Sequence, residues 1–417
     1  MKTDFDVLII GGGLVGMTAG LACAQAGFRV AIADIKPPID QLDTQHDGRS
    51  SAIAAASFKM MQALGVASRL IEGENTHAGP INKILISDGD AGETPSPLTL
   101  FFDGAQIKDE VDAGAPLGYM VENRRMRLAL YQQVKAADNI KWIAPAKLTG
   151  FDTEPANMTA YFDGGTTVTA KLIVGADGKN SAVRRMAGIE SENWPCHQNG
   201  IVTTVSHELP HEGVAHELFL PSGPFAILPL TGNRASIVWT DTPRAAAAAM
   251  ALDDAAFEAE LARRFGSFLV EVKVIAPRWS YPLTLHQSDR YIGERLALVG
   301  DAAHGMHPIA GQGLNLGLRD VAALAEVIID AARLGLDTGT PNVLEKYEQW
   351  RRFDSVTLLA ITDGLNRLFT ADVEPIRLAR DVGLAAVNKM PRLKGFFMEH
   401  ARGTVGEMPR LLAGKPL

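Results

Sequence analysis

The sequence predicts an α/β protein built on a Rossmann-like nucleotide-binding domain. Three stretches lead to this expectation. An apolar strand at 5–10, FDVLII, runs into Gly11, Gly13 and Gly16 and then an Ala/Leu-rich helix over 14–26. A second apolar strand, 172–175, leads into Asp177-Gly178 and a short helix. A third, 296–299, leads into Gly300-Asp301, a His/Pro-bearing loop and a glycine-rich turn that opens another helix. Strands of a parallel sheet are covered on both faces and read as continuous apolar runs, as these do.

The first unit is complete. Gly27 stops its helix, the strand 28–33 follows, and Asp34 closes it 18 residues after Gly16. Glycines at G-x-G-x-x-G spacing allow a tight turn and let a pyrophosphate approach the helix N-terminus; an acidic residue roughly 20 positions on can hold a ribose. This fingerprint alone leaves NAD and FAD open. In the second unit, Asp177, Ser181 and Arg184 place a carboxylate and a cation beside a phosphate-like group, which a simple NAD dehydrogenase does not need. In the third, Asp301 at a strand end can hold sugar-like hydroxyls, and the helix N-terminus beyond it offers free N–H groups to an anion or polarised oxygen. Both features suit a flavin, with its ribityl chain and the negative charge of its reduced ring. A second full fingerprint is absent, since Gly311 and Gly313 are followed by Gly317, one residue late. One dinucleotide is therefore expected in a Rossmann unit.

Composition narrows the class. A chain of 417 residues is long for one small core, so two interleaved or consecutive domains are expected. Apolar residues at 47% and charged residues at 21% suit a globular enzyme. A net charge of −8 argues against nucleic-acid binding by phosphate neutralisation. Two cysteines, Cys23 and Cys196, make neither a disulfide framework nor a zinc site, and a reducing cytosol fits. Residues 1–5 are short and polar, so no signal peptide is expected, and no apolar run reaches the roughly 18 residues of a membrane span.

The motifs Gly11–Gly16, Asp177-Gly178 and Gly300-Asp301, in this order, resemble those of the single-component FAD-dependent aromatic hydroxylases. Within that group the string at 307–320, HPIAGQGLNLGLRD, is similar to the ubiquinone-biosynthesis hydroxylases, and the similarity spans nearly the full chain. The resemblance implies a Rossmann-like FAD-binding domain with an interleaved mixed β-sheet substrate domain and C-terminal helices, of aromatic hydroxylase type. The expected FAD-binding pieces are 1–75, 110–185 and 290–340, the substrate pieces 76–109 and 186–289, and the helical region 341–417.

The resemblance also implies roles. Gly11, Gly13, Leu14, Val15 and Gly16 would take the FAD pyrophosphate, and Asp34 the adenosine ribose. Arg49 would lie beside the isoalloxazine and pyrophosphate, and Asn123 would reach the ribityl region. Asp34 stands where Glu is commoner and Asn123 where many relatives have Arg. Asp177 would hold the diphosphate or the mobile flavin, and Asp301 the ribityl hydroxyls. Pro308 would shape the loop on one side of the ring. Gly311 and Gly313 would open the helix whose Leu314 and Asn315 N–H groups face the pyrimidine oxygen. His307 and Pro308 are the candidates for contact with the reacting groups, and His304 is a hydrogen-bonded loop residue by default. No metal is expected.

The activity implied is hydroxylation of a polyprenyl-phenol in ubiquinone biosynthesis, with NAD(P)H as transient reductant, O2 as oxidant and a flavin C4a-hydroperoxide as oxygen donor. An FAD-dependent prenyl reductase, or a monooxygenase acting on another aromatic molecule, is the alternative. The location implied is cytoplasmic, with peripheral contact at the inner face of the cell membrane and membership of a biosynthetic assembly left open.

In the substrate half, strands are expected at 224–230 and 234–240 around a turn at 231–233, at 278–285, and within 84–102; 242–266 reads as helical. Phe219, Phe225, Leu228 and Trp239 are candidates for either pocket or core. The stretch 391–417 mixes basic residues with Leu393, Phe396, Phe397, Met398, Leu411 and Leu412, suited to a bilayer surface or to ordinary packing.

Overall fold

The structure is a computed structural model that describes residues 3–42, 48–71, 76–92, 96, 99–107, 114–266, 269, 271–307, 311–370, 383 and 386–417. Its first sheet has the strand order Ile292–Gly293, Leu296–Leu298, Thr167–Gly175, Phe5–Ile10, Val30–Ala33, Ile140–Ile143. The strand Phe5–Ile10 pairs in parallel with Thr167–Gly175 on one side and Val30–Ala33 on the other. Val7, Leu8, Ile9, Ile32, Leu172 and Ile173 are completely buried, as strands covered on both faces must be. The helices Leu14–Gln25 and Gln312–Arg333 pack together against this sheet. Thr167–Gly175 extends beyond the expected 172–175 because its first half pairs antiparallel with Met158–Phe162, a partner invisible in a local window.

The second sheet has nine strands among the described residues. Its main path is His304–Gly305, Trp279–Ser288, Ser191–His207, Arg234–Asp241, Gly223–Pro229, Val214–Leu220, Lys83–Asp88, Leu100–Asp103. The hairpin expected around 231–233 is present, with Phe225 opposite Trp239. The helical stretch is two helices, Pro243–Met250 and Asp254–Phe265, because Thr242 and Asp253 each cap a new start with a side-chain oxygen. These helices cover one face of the sheet, so Phe225 and Trp239 pack in a core with Phe257 and Leu261. One residue out of phase, Pro224, Ala226 and Leu228 face the opposite way, into a cavity. Of the four ambiguous residues, Phe219 and Leu228 thus line the pocket and Phe225 and Trp239 do not. A third, three-stranded sheet of Ser50–Ala54, Gly118–Glu122 and Ala78–Ile81 closes one side.

The helix Pro341–Thr370 follows, and after Pro391–Arg402 the chain returns to the first domain. There Leu411 and Leu412 are fully buried in the main core, and Arg410 pairs with Glu326 and Asp330. These two leucines are core residues and cannot face a bilayer.

Candidate active site

The two large sheets enclose a cavity of about 990 Å³. The glycine turn forms one wall. Gly11 adopts φ +106°, and a Cβ there would stand 2.3 Å from the Ala176 carbonyl oxygen; a Cβ on Gly16 would stand 1.8 Å from the Gly11 carbonyl oxygen. Only hydrogen fits at either position, which draws the first strand, the turn and the Ala176 loop together. Gly13 differs. It caps the helix Leu14–Gln25 without any side-chain hydrogen bond, and nothing lies within 4 Å of where its Cβ would be. With Leu14 and Val15 it presents a bare helix N-terminus to the cavity. Asp34 stands behind this wall, accepting hydrogen bonds from the Gly12 N–H (2.6 Å) and the Lys36 N–H (2.8 Å).

A second uncapped helix start enters the same cavity. Gly311, at φ +62°, precedes Gln312–Arg333, and residues 311–315 all line the space. Asn315 pins this start to the Ser50–Ala54 strand: its Oδ1 accepts from the Ala54 N–H (2.9 Å) and its Nδ2 donates to the Ala52 carbonyl (2.7 Å). Asp301 also lines the cavity and is open to it. Burial raises its pKa, against the pull of His304, Arg49 and Lys179. Arg49 lies over the Tyr281 ring at 5.3 Å, and Asn123 accepts from the Ser51 hydroxyl (2.6 Å). Both also line the cavity.

Several expected roles change. Asp177 is not in the cavity wall. One of its oxygens caps the following helix through the Ala182 and Val183 N–H groups (2.7 and 3.1 Å), which shapes the loop, and the other is buried without a hydrogen-bond partner among the described residues. Arg184 is buried and donates to the carbonyls of Ala302 (2.8 Å) and Lys179 (2.9 Å), tying the second and third loops together. His307 is buried beside Gln198 (3.2 Å), outside the cavity wall, and burial pushes its pKa down to about 4. A neutral imidazole held there positions a loop, and the structure does not place it as an acid or base. Pro308 lies outside the described residues. His304 is paired with Asp320 at 2.6 Å, as a hydrogen-bonded loop residue would be.

The structure adds residues that motif spacing missed. Arg127, one turn beyond Asn123 on the helix Asn123–Ala136, lines the cavity, as does Lys179, which donates to the Thr284 hydroxyl. The i, i+4 relation of Asn123 and Arg127 was the available signal. His286 also lines it, 2.8 Å from the Asp301 carbonyl oxygen, with burial pushing its pKa down to about 4.

Among the described residues, two uncapped helix N-termini, the cations Arg49, Arg127 and Lys179 and the Asp301 carboxylate thus converge on the polar part of the cavity, a donor set that fits FAD. Gly13–Val15 would take the pyrophosphate, Asp301 the ribityl hydroxyls, and the start of Gln312–Arg333 the electron-rich pyrimidine edge. Bound there, FAD supplies hydride acceptance from NAD(P)H and activation of O2 for transfer to an aromatic ring. The protein supplies orientation, positive potential and exclusion of bulk water. Asp301→Ala is expected to weaken FAD binding about ten- to hundredfold, the loss of hydrogen bonds to a charged group. Flavin retained on gel filtration at full occupancy would contradict that role.

Fold and site together define a single-component FAD-dependent monooxygenase of the aromatic hydroxylase type. Comparison with known proteins agrees. The family model for an FAD binding domain matches residues 4–358. The chain is 47% identical over 415 residues to ubiquinone hydroxylase UbiL of Rhodospirillum rubrum, covering 99% of this chain and 93% of that one. It is 34% identical over 399 residues to the 3-demethoxyubiquinol 3-hydroxylase of Escherichia coli, covering 95% and 98%. Among solved structures, p-nitrophenol 4-monooxygenase PnpA from Pseudomonas putida shares the fold at TM-score 0.78 and 18% identity, covering 97% of this chain and all of that one. The chain belongs to the FAD-binding-domain family and, within it, to the ubiquinone-biosynthesis hydroxylase group. It is an FAD-dependent monooxygenase that uses NAD(P)H and O2 on an aromatic small molecule.

Proposed function

We propose that this chain hydroxylates the ring of a polyprenyl-phenol intermediate in ubiquinone biosynthesis. The shape of the cavity carries this reading. Beyond the polar part it continues between the second sheet and the C-terminal helices, lined by Leu100, Phe102, Leu358, Ile361 and Phe369. A small polar ring has no use for such a lining, whereas a prenyl chain gains roughly 25 cal/mol per Å² buried there. The names of the two relatives point to the same chemistry. The test is NAD(P)H and O2 consumption with a prenylated phenol and with the same phenol lacking the chain. The expected result is tight coupling with the prenylated compound, one oxygen atom added per NAD(P)H. Reduction of the prenyl chain without O2 uptake would establish the reductase alternative instead.

The reading extends to location: work at the inner face of the cell membrane, from the cytoplasmic side, within a biosynthetic assembly. In support, Phe396 is 46% exposed yet also lines the cavity, and Arg392 and Lys394 share its helix Pro391–Arg402. Truncation at 390 would remove core leucines, so Phe396→Glu is the cleaner probe. It should reduce co-sedimentation with anionic vesicles, and unchanged co-sedimentation would remove the membrane reading.

A further inference from the structure

Two carboxyl groups line the cavity among the described residues, Asp301 and Glu217. Asp301 belongs to the polar part. Glu217 does not: it sits mid-strand in Val214–Leu220, and its register neighbours are Ile86 on one side and Ala226 on the other. Along its own strand, Ala215 and Phe219 share its face, and all four neighbours line the cavity. Among the described residues, no hydrogen bond or ion pair engages the Glu217 carboxyl. A carboxyl group set in an apolar quartet without a partner is costly, by several kcal/mol if ionised. The carboxyl is half-buried and opens on the cavity, so its natural partner is a polar group that enters there.

We propose that Glu217 recognises the ring hydroxyl of the substrate and thereby sets which edge of the ring faces the oxygen-transfer region. The assignment rests on the phenolic substrate read above. The apolar walls raise the Glu217 pKa to about 8, which favours its carboxylic acid form. In that form it both donates and accepts, which matches a phenolic O–H, itself donor and acceptor, without placing a net charge among apolar walls. A site built around such a pair rejects the analogue that lacks the hydroxyl much more strongly than a purely apolar pocket can reject a size change. Glu217 is thus a specificity-determining residue.

The test is calorimetric binding of 2-geranylphenol and its methyl ether to the FAD-loaded protein, with turnover, FAD content and melting temperature measured alongside. The native protein should prefer the phenol by about tenfold or more. Glu217→Leu should erase that preference, leave ether binding within about twofold, keep FAD content, and leave melting unchanged or raised. Glu217→Gln, which still donates and accepts, should retain part of the preference. Glu217→Ala provides a second deletion should the Leu variant fold poorly. A preserved phenol preference in the deletion variants, with turnover intact, overturns this assignment alone. So does an equal loss of both ligands with a lowered melting temperature, the mark of a merely structural group. A native protein that neither binds nor hydroxylates prenylated phenols overturns the substrate reading and this assignment together.

Discussion

Gly16→Ala is expected to destabilise the apoprotein by more than about 3 kcal/mol, beyond ordinary overpacking, because the new methyl meets backbone and not a movable side chain. Its Cβ would lie 1.8 Å from the Gly11 carbonyl oxygen, with Ala176 Cβ at 3.3 Å. Neither strand end can retreat without opening the parallel pairing on which both glycines rest. Urea unfolding of the apoprotein reads this directly. Gly13→Ala is the informative contrast. Its φ is −74°, and no atom lies within 4 Å of the added methyl, so stability should change by less than about 1 kcal/mol. FAD affinity should nonetheless fall about tenfold or more, about 1.4 kcal/mol, because the methyl stands on the ledge where the helix N–H groups open. A Gly13→Ala protein with unaltered FAD affinity would mean that the pyrophosphate lies elsewhere.

Asp320→Ala should cost about 3–5 kcal/mol, the range for breaking a buried ion pair by removing one partner. Asp320 is 0% exposed and Arg351 1%. Asp320 Oδ1 accepts from Arg351 (2.9 Å), while Oδ2 lies 2.6 Å from His304 and accepts from the Gly300 N–H (3.0 Å). Removing this carboxylate leaves the buried Arg351 with Asp354 (2.6 Å) as its remaining ion-pair partner and frees the loop that carries Asp301, so FAD retention should fall with stability. Asp320→Asn, which keeps the Gly300 hydrogen bond, should fall between the two. The pH dependence has a definite sign. Burial alone would raise the Asp320 pKa, but the charges and hydrogen bonds of His304 and Arg351 hold it below the ordinary 3.8. A depressed native pKa means that this contribution is fully present above the unfolded-state value and is lost as the pH falls through the native one. Acid unfolding should therefore steepen below about pH 4 in the native protein, and this component should be absent in Asp320→Ala. Superimposable acid profiles would show that the cluster carries no such linkage.

Much of the fold was legible because the strand–turn–helix units are local. The glycine turn, the strand leading to Gly300 and the hairpin at 231–233 each declare themselves within a few dozen residues. The 17-residue strand Ser191–His207 does not. It carries Pro195, and its register with Trp279–Ser288 shifts between Pro195 and Asn199, so neither alternation nor composition marks it. The third sheet escaped for a related reason: its strands have four or five residues and find their partners far along the chain.

By itself the sequence determined that backbone turns and helix N-termini would be offered to a dinucleotide, since those features depend on glycine placement and apolar period over short spans. Only the tertiary structure decided which side chains look into the cavity. Asp177, Arg184 and His307 turned to helix caps, loop carbonyls and Gln198, while Arg127, Lys179 and Glu217 turned inward. The direction of a polar side chain is settled by the partner that satisfies it. Here those partners include the Ala302 carbonyl for Arg184 and Gln198 for His307, 118 and 109 positions away. No spacing within a motif encodes a partner at that distance; packing of the two sheets does.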